Sequence, residues 1–131
     1  MNYFNILKPL KTLLVDDDEF IRDSLSMAFT NKGCFLETAV NAEEGMQALQ
    51  KERFDIIISD LRLPGKDGLE FFKSVRTSQP HSLCVLITAY RDKLISSQVS
   101  AMGIHDFIEK PFSVGLLVKS LVQLIQSRSN N

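Results

Sequence analysis

The fold of this chain is decided by one stretch, Asp55-Ile56-Ile57-Ile58-Ser59-Asp60-Leu61-Arg62-Leu63-Pro64-Gly65-Lys66-Asp67-Gly68. Three consecutive isoleucines favour a strand that is covered on both faces of a sheet, because β-branched side chains fit the pleated backbone. The proline and the two glycines that follow prevent the strand from continuing. We therefore expect Asp60 at the carboxyl end of a buried strand, the edge where open α/β sheets bind their ligands.

Four further apolar segments alternate with helical patterns along the chain. The predicted strands are 12–15, 35–39, 83–87 and 106–109, in addition to the central one, and the predicted helices cover about 20–32, 41–49, 67–79, 92–102 and 113–127. This alternation predicts a parallel sheet between two helix layers, because right-handed crossovers leave few other arrangements. The specific prediction is an α/β, flavodoxin-like, doubly wound sheet of five strands in the order 2-1-3-4-5 with five helices.

Capping signals support these helix boundaries. Asn41 and Asp67 are each followed three residues later by a glutamate, the pattern of a capping box, and Ser113 is a favourable N-cap for the last helix. Gly33 and Gly103 each follow a helical pattern and predict its end.

Composition indicates one compact domain. The chain has 131 residues, 44% of them hydrophobic, and a net charge of -1. We expect an N-terminal arm at 1–10, the domain at 11–127 and a tail at 128–131. The absence of a basic patch argues against direct binding to nucleic acid or to a membrane, and no apolar run approaches the roughly 20 residues needed to cross a bilayer. We expect a cytoplasmic protein.

The cysteines and histidines point to no separate site. Cys34 and Cys84 have neither zinc-ligand nor paired spacing and are expected to be buried thiols in a reducing compartment. His81 and His105 follow no carboxyl strand end and are expected in loops or at the surface.

Three acidic side chains are expected to converge at the carboxyl edge of the sheet. Asp16 and Asp17 follow the first strand and Asp60 ends the third, and these strands are neighbours in the predicted order. Carboxylates a few Å apart repel by about 4 kcal/mol per pair at an effective dielectric near 20. They either share protons or hold a hard divalent cation, and carboxylates with open water positions suit Mg²⁺.

Two other strand ends supply groups that bind phosphate. Thr88 ends the fourth strand with a hydroxyl, and Lys110 follows the fifth with an ammonium. The Lys110-Pro111 bond is a candidate for a cis peptide, since proline follows it. The sequence therefore favours phosphate chemistry with a divalent cation.

This ordered set of motifs resembles the receiver domain of two-component response regulators. The resemblance covers about 11–127 and is carried by Leu13-Leu14-Val15-Asp16-Asp17, Ser59-Asp60-Leu61-Arg62-Leu63-Pro64-Gly65-Lys66-Asp67-Gly68, Thr88-Ala89 and Lys110-Pro111-Phe112. It implies that Asp60 is the phosphoacceptor, which attacks the phosphohistidine of a sensor histidine kinase or a histidine phosphotransfer protein. It implies that Asp17, Asp60 and the backbone carbonyl of Arg62 coordinate Mg²⁺, with Asp16 acting mostly through bound water.

The resemblance also assigns roles around the phosphoryl group. Thr88 and Lys110 would bind its oxygens, and Phe107 matches the position of an aromatic switch that responds to Thr88. Arg62 and Tyr90 match positions beside the path of the hydrolytic water, and because both are large we predict slow autodephosphorylation.

The surface formed by the fourth helix, the fifth strand and the fifth helix is the expected output surface. The apolar residues of the fifth helix cover an arc wider than a core contact requires; they are Val114, Leu117, Val118, Leu121, Val122, Leu124 and Ile125, with Leu116 outside the arc. This excess indicates either deep core packing or self-association and partner docking after phosphorylation.

Three alternatives remain open at this point. A degenerate receiver would act only as a protein-binding module, although all five site residues are present. A small Mg²⁺-dependent phosphatase of the haloacid dehalogenase type shares the Asp-x-Asp pattern at Asp16 and Asp18, but Glu19-Phe20-Ile21-Arg22 follows instead of the expected Thr or Ser. A flavodoxin-like cofactor binder would need a Ser/Thr-rich phosphate loop after the first strand, and in this sequence acids follow that strand instead. A receiver domain catalyses its own phosphorylation and dephosphorylation and is not a turnover enzyme.

Overall fold

The chain folds around one five-stranded parallel sheet. The computed structural model describes residues 2–89 and 100–129. The strands are β1 (Lys11–Val15), β2 (Phe35–Ala39), β3 (Ile56–Asp60), β4 (Leu83–Thr88) and β5 (Asp106–Glu109). Their order is β2-β1-β3-β4-β5, with every neighbouring pair parallel. The predicted flavodoxin-like order is confirmed.

Five helices lie in the described part of the chain. They are α1 (Phe4–Leu7), α2 (Glu19–Asn31), α3 (Ala42–Lys51), α4 (Gly68–Ser78) and α5 (Val114–Ser129). The predicted helix at 92–102 falls largely outside the described residues. The remaining predicted helices match α2, α3, α4 and α5 within a few residues.

The predicted helix caps are present. The Asn41 side chain accepts a hydrogen bond from the Glu44 N–H, and Asp67 accepts one from the Glu70 N–H. Ser113 Oγ accepts one from the Leu116 N–H at 3.0 Å. These bonds satisfy backbone donors that a helix N-terminus otherwise leaves unpaired.

The sheet separates two apolar clusters, one on each face. Successive side chains of a strand point to opposite faces, so Ile57 packs with α3 and α4, whereas Ile56 and Ile58 pack with α2 and α5. All five residues of β3 are buried. This two-sided burial holds Asp60 on a strand with little freedom to move.

The N-terminal segment is part of the core. Leu7 of α1 is buried in the cluster beneath α2 and α5, and the Phe4 ring meets the Phe29 ring edge-on at 5.7 Å. The Cys34 thiol donates a hydrogen bond to the Phe4 carbonyl at 3.4 Å. Cys34 and Cys84 are both free and buried, as predicted.

Core packing accounts for most of the apolar face of α5. Its fully buried residues are Leu117, Val118, Leu121 and Val122, while Val114, Leu124 and Ile125 are half-buried against the same cluster. Leu116 is 51% exposed on the outer face. Among the described residues, none of the helices is long and apolar enough to cross a membrane.

Candidate functional site

Four strand ends bring the predicted site residues to the same edge of the sheet. Asp16 follows β1, Asp60 is the last residue of β3, Thr88 the last of β4, and Lys110 follows β5. The carboxyl ends of parallel strands share one edge, and β1, β3, β4 and β5 are consecutive neighbours. The convergence expected from the sequence is therefore present.

Three carboxylates form a compact acidic cluster at this edge. Asp16, Asp17 and Asp60 each offer an oxygen, and these oxygens lie within 4.8 Å of one another. Asp16 is 0% exposed and Asp60 is 4% exposed, whereas Asp17 is exposed. The cluster thus has a buried floor and one carboxylate at the solvent boundary.

Lys110 forms ion pairs with two of these acids. Its Nζ lies 2.9 Å from Asp60 Oδ2 and 3.4 Å from Asp16 Oδ2. Burial lowers the pKa of Lys110, but the hydrogen bond to Asp60 and the charge of Asp16 outweigh it and raise the pKa above its usual value. Lys110 therefore stays charged. The Lys110-Pro111 peptide, which lies between β5 and α5, is cis, as the sequence allowed.

One lysine does not neutralise the cluster. Burial, together with the charge of Asp60, raises the pKa of Asp16 to about 6, although the Asp18 N–H and Lys110 act in the opposite direction. Asp16 Oδ2 is buried and has no hydrogen bond, although it forms an ion pair with Lys110 Nζ at 3.4 Å. A buried carboxylate oxygen without a hydrogen bond lowers the stability of the fold, and a bound metal cation or a proton would offset that cost.

This donor set fits Mg²⁺. The three carboxylates are hard oxygen ligands, one buried oxygen lacks a hydrogen bond, and Asp17 leaves the cluster open to water. Mg²⁺ prefers such ligands and retains several waters. The predicted ligands Asp16, Asp17 and Asp60 are thus adjacent to one another, while the role of the Arg62 carbonyl remains a prediction.

The predicted phosphoryl-binding, switch and rate-tuning residues have different environments. Thr88 is buried, and its carbonyl accepts the Lys110 N–H at 2.7 Å, which ties the ends of β4 and β5 together. The Phe107 side chain is 40% exposed on β5. Arg62 is exposed, and its backbone N–H donates to Asp60 Oδ1 at 3.3 Å. Tyr90 lies outside the described residues.

The acidic run after β1 divides into distinct roles. Asp18 is the N-cap of α2 and accepts hydrogen bonds from the Phe20 and Ile21 N–H groups. Its own N–H donates to Asp16 Oδ1 at 2.9 Å, and Arg22 donates from Nη1 to the Asp16 carbonyl at 2.8 Å. The sequence reasoning missed Arg22, although its position one turn into the helix that follows the acids is the signal for it.

Gly68 has a steric role that its sequence position alone did not reveal. A Cβ added there would lie 2.3 Å from the Asp60 carbonyl oxygen and 2.9 Å from Leu61 Cα. The Gly68 N–H donates to the Leu61 carbonyl at 2.9 Å. The start of α4 therefore packs directly against the backbone of the strand end that carries Asp60.

An apolar groove of about 410 Å³ opens beside the acidic cluster. Lys110 forms part of its wall, and its apolar lining comes from Phe20, Ile21, Leu25, Pro111, Phe112 and Val114. Phe20 is 78% exposed, an unusual exposure for a phenylalanine side chain. The sequence reasoning assigned Phe20 no role.

The two histidines lie away from the acids. His81 is exposed in the turn before β4, and His105 precedes β5, so both are at the amino edge of the sheet. His105 Nδ1 accepts the Cys84 N–H at 3.0 Å, and the Arg128 guanidinium contacts Nε2 at 3.3 Å. The expectation that both are surface or loop residues is confirmed.

Comparison with known proteins identifies relatives of the whole fold. Residues 12–122 match the family described as the response regulator receiver domain. The chain is 31% identical over 114 residues to the transcriptional regulatory protein GlrR of Escherichia coli K12, covering 87% of this chain and 26% of that protein. It is 33% identical over 101 residues to the DNA-binding transcriptional regulator NtrC of the same organism, covering 77% and 22%. The chain thus spans about a quarter of the length of the curated relatives it matches.

Solved structures agree with this assignment. The chemotaxis response regulator CheY4 of Vibrio cholerae has a TM-score of 0.80 and 33% identity, covering 87% of this chain and 97% of that chain. A CheY-like receiver domain from Methanospirillum hungatei has a TM-score of 0.77 and 28% identity, covering 91% and 93%.

Proposed function

This chain belongs to the response regulator receiver domain family, and from that premise we propose that Asp60 accepts a phosphoryl group from a protein phosphohistidine. The observation that carries the proposal is the buried cluster of Asp16 and Asp60 with Lys110 Nζ 2.9 Å from Asp60 Oδ2. A carboxylate held against an ammonium at a strand end is suited to act as a nucleophile whose product carries more negative charge.

The transfer is a displacement at phosphorus. An Asp60 carboxylate oxygen forms a new P–O bond as the P–N bond to the donor histidine breaks, and the electron pair of that bond returns to the imidazole nitrogen. The product is an acyl phosphate on Asp60 and a free histidine. Lys110 and the Thr88 hydroxyl are proposed to hold the phosphoryl oxygens.

Asp16, Asp17 and Asp60 are proposed to hold Mg²⁺, together with the Arg62 carbonyl. When bound, Mg²⁺ supplies the positive charge that offsets the acids and the transferring group. Asp16 Oδ2, which has no hydrogen bond, and the exposed Asp17 support this assignment, because one provides a buried acceptor and the other leaves room for water ligands.

The donor is proposed to be a sensor histidine kinase or a histidine phosphotransfer protein that contacts the apolar groove. Phe20 and Phe112 line this groove next to Lys110, so a protein seated there places its histidine near Asp60. Phe20→Ala is expected to slow transfer from a phosphohistidine protein at least tenfold while leaving phosphorylation by acetyl phosphate unchanged. If Phe20→Ala changed the rate of phosphorylation by the same factor with both donors, this contact would be contradicted.

Phosphorylation is proposed to change the surface that includes β5 and α5. Movement of the Thr88 hydroxyl toward the phosphoryl group vacates space that Phe107, 40% exposed, can fill. Self-association or partner docking at this surface is testable by light scattering with and without beryllofluoride and Mg²⁺. A monomer in both samples contradicts self-association.

The output and the lifetime of the phosphoryl group belong to the same proposal. The matched relatives are named as transcriptional regulators and are more than three times as long as this chain, so we propose that this receiver controls a partner or a further domain in the cytoplasm. Large side chains at Arg62 and Tyr90 are proposed to slow hydrolysis. Trimming both is expected to shorten the half-life of the phosphorylated protein.

Intact mass spectrometry after incubation with acetyl phosphate and Mg²⁺ tests the proposed function. We expect the mass of one phosphoryl group to be added to the wild type and none to Asp60→Asn. Absence of the adduct in the wild type would favour a module that only binds proteins. Multiple turnover of p-nitrophenyl phosphate would favour the phosphatase alternative.

A further inference from the structure

Arg22 binds the backbone of the acidic cluster rather than its carboxylates. Its guanidinium lies on the second turn of α2, is half-buried, and donates from Nη1 to the Asp16 carbonyl at 2.8 Å. A charged donor on a backbone carbonyl is among the stronger protein hydrogen bonds. Arg22 thus joins α2 to the turn that carries the acids.

Three bonds fix Asp16 from three directions. Its N–H donates to the Ala39 carbonyl at 3.1 Å, its Oδ1 accepts the Asp18 N–H at 2.9 Å, and its carbonyl accepts from Arg22. The first two hold the strand end and the carboxylate. The third fixes the orientation of the peptide group that joins Asp16 to Asp17.

Asp17 depends on that peptide plane. Its side chain is exposed and forms no hydrogen bond with residues 2–89 or 100–129, yet one of its oxygens lies within 4.8 Å of those of Asp16 and Asp60. Asp18, on its other side, is fixed as the N-cap of α2. The orientation of the Asp16-Asp17 peptide therefore determines whether the Asp17 carboxylate faces the cluster.

We propose that Arg22 is a positioning residue for the cation site, which holds the Asp16-Asp17 peptide so that Asp17 is preorganised as a ligand. This inference rests on the Mg²⁺ site of the proposed function. It does not require that Asp60 be phosphorylated, so the two can fail separately.

The positioning role and a purely electrostatic role predict opposite changes. A guanidinium near a cation site repels the cation, so removal of its charge alone would strengthen Mg²⁺ binding. Loss of a group that orients a ligand instead weakens metal binding, commonly by tenfold or more. The sign of the change in Mg²⁺ affinity therefore separates the two roles.

Isothermal titration of the full chain with Mg²⁺ measures that sign. We expect Arg22→Ala to raise the Kd for Mg²⁺ about tenfold. Arg22→Lys keeps the charge and a hydrogen-bond donor, so its Kd for Mg²⁺ is expected to lie between those of the wild type and Arg22→Ala. The matched control is Arg128→Ala, because Arg128 makes the same guanidinium-to-carbonyl bond, at 2.8 Å to His81, at the opposite edge of the sheet. Its Kd for Mg²⁺ is expected to equal that of the wild type.

Amide hydrogen exchange in the metal-free protein gives a second readout. The Asp18 N–H, which donates to Asp16 Oδ1, is expected to exchange faster in Arg22→Ala than in Arg128→Ala. If Arg22→Ala does not fold, Arg22→Gln replaces it under the same criterion. Mg²⁺ affinity equal to or tighter than that of the wild type overturns the inference. So does a wild type that binds no Mg²⁺, whereas a wild type that binds Mg²⁺ but accepts no phosphoryl group overturns the proposed function alone.

Discussion

The two edges of the sheet use charged residues in opposite ways. At the carboxyl edge, Asp16, Asp17 and Asp60 face one another, with Lys110 as their partner. At the amino edge, charged and imidazole groups bind the backbone. Arg128 donates to the His81 carbonyl, the Lys11 N–H donates to Asp55 Oδ2, and His105 accepts the Cys84 N–H.

This difference separates stability from function. The side chains at the amino edge form hydrogen bonds with main-chain groups of neighbouring elements, so they stabilise the fold. At the carboxyl edge, Asp16 Oδ2 is buried without a hydrogen bond, and this arrangement lowers the stability of the fold. The proposed binding of a cation and a phosphoryl group would account for this arrangement.

Gly68→Ala is expected to change the free energy of unfolding more than any other substitution considered below. At the carboxyl edge its Cβ would meet the Asp60 carbonyl at 2.3 Å, so we expect the free energy of unfolding to fall by about 3 kcal/mol. At the amino edge, Gly103 has a φ of 77° and faces only the Arg76 side chain, so Gly103→Ala is expected to cost about 1 kcal/mol. Urea titration measures both changes.

Acceptor function should separate the same two glycines. Gly68→Ala is expected to impair phosphorylation by acetyl phosphate in conditions where the variant is still folded, because Asp60 is displaced. Gly103→Ala is expected to retain it. Equal phosphorylation of the two variants would contradict the packing of α4 against Asp60.

Removal of one charge from each edge is expected to change stability in opposite directions. The pKa of Asp16, raised to about 6, means that its carboxylate opposes folding at pH 8 in the absence of Mg²⁺, so Asp16→Asn should stabilise the chain by about 2 kcal/mol. The asparagine still accepts the Asp18 N–H. Arg128→Ala should destabilise it by about 1 kcal/mol, through loss of the bond to His81. Urea titrations in EDTA test the signs, and destabilisation by Asp16→Asn would contradict this account of the carboxyl edge.

The pH dependence of stability provides a smaller comparison. Asp16 has a folded pKa above its unfolded value of 3.8, so its contribution is favourable at low pH and is lost as the pH rises from about 4 to about 6. Burial and the charge of Arg128 lower the pKa of His105 below 6.5, so its contribution is present above pH 6.5 and is lost as the pH falls below 6.5 through the lowered folded pKa.

Two variants isolate these contributions. Between pH 7.5 and 5.5, His105→Gln is expected to lose less stability than the metal-free wild type, and Asp16→Asn is expected to lose more. The measurement is the free energy of unfolding from urea titrations at each pH. A His105→Gln variant that follows the wild-type pH dependence would show that His105 does not contribute.

The sequence was sufficient to predict the sheet and the convergence of the acids. Buried β-branched runs and capping residues such as Asn41 and Asp67 are local signals. The alternation of elements indicates a parallel sheet between two helix layers, and the order 2-1-3-4-5 was the specific prediction among the few arrangements it leaves. The site then follows from topology, because Asp16, Asp60 and Lys110 each occupy or follow a carboxyl strand end.

Contacts between elements could not be predicted in the same way. In the sequence Gly68 had only the pattern of a turn residue. The three-dimensional structure shows that the start of α4 lies so close to the Asp60 backbone that a side chain at position 68 would meet the Asp60 carbonyl oxygen. Phe20 and Arg22 lie on one helix, yet one is exposed beside the groove and the other bonds the Asp16 carbonyl. The N-terminal arm gave no sign that Leu7 enters the core, since a four-residue helix has little periodicity to detect.

The most direct test of the central claim is to locate the phosphoryl group. Wild-type protein is incubated with acetyl phosphate in Mg²⁺ or in EDTA, reduced with borohydride to convert the acyl phosphate to homoserine, digested, and sequenced by tandem mass spectrometry. We expect homoserine at position 60 and nowhere else, and only in the Mg²⁺ sample. Modification at Asp16 or Asp17 instead, or equal modification at Asp60 in EDTA, would contradict it.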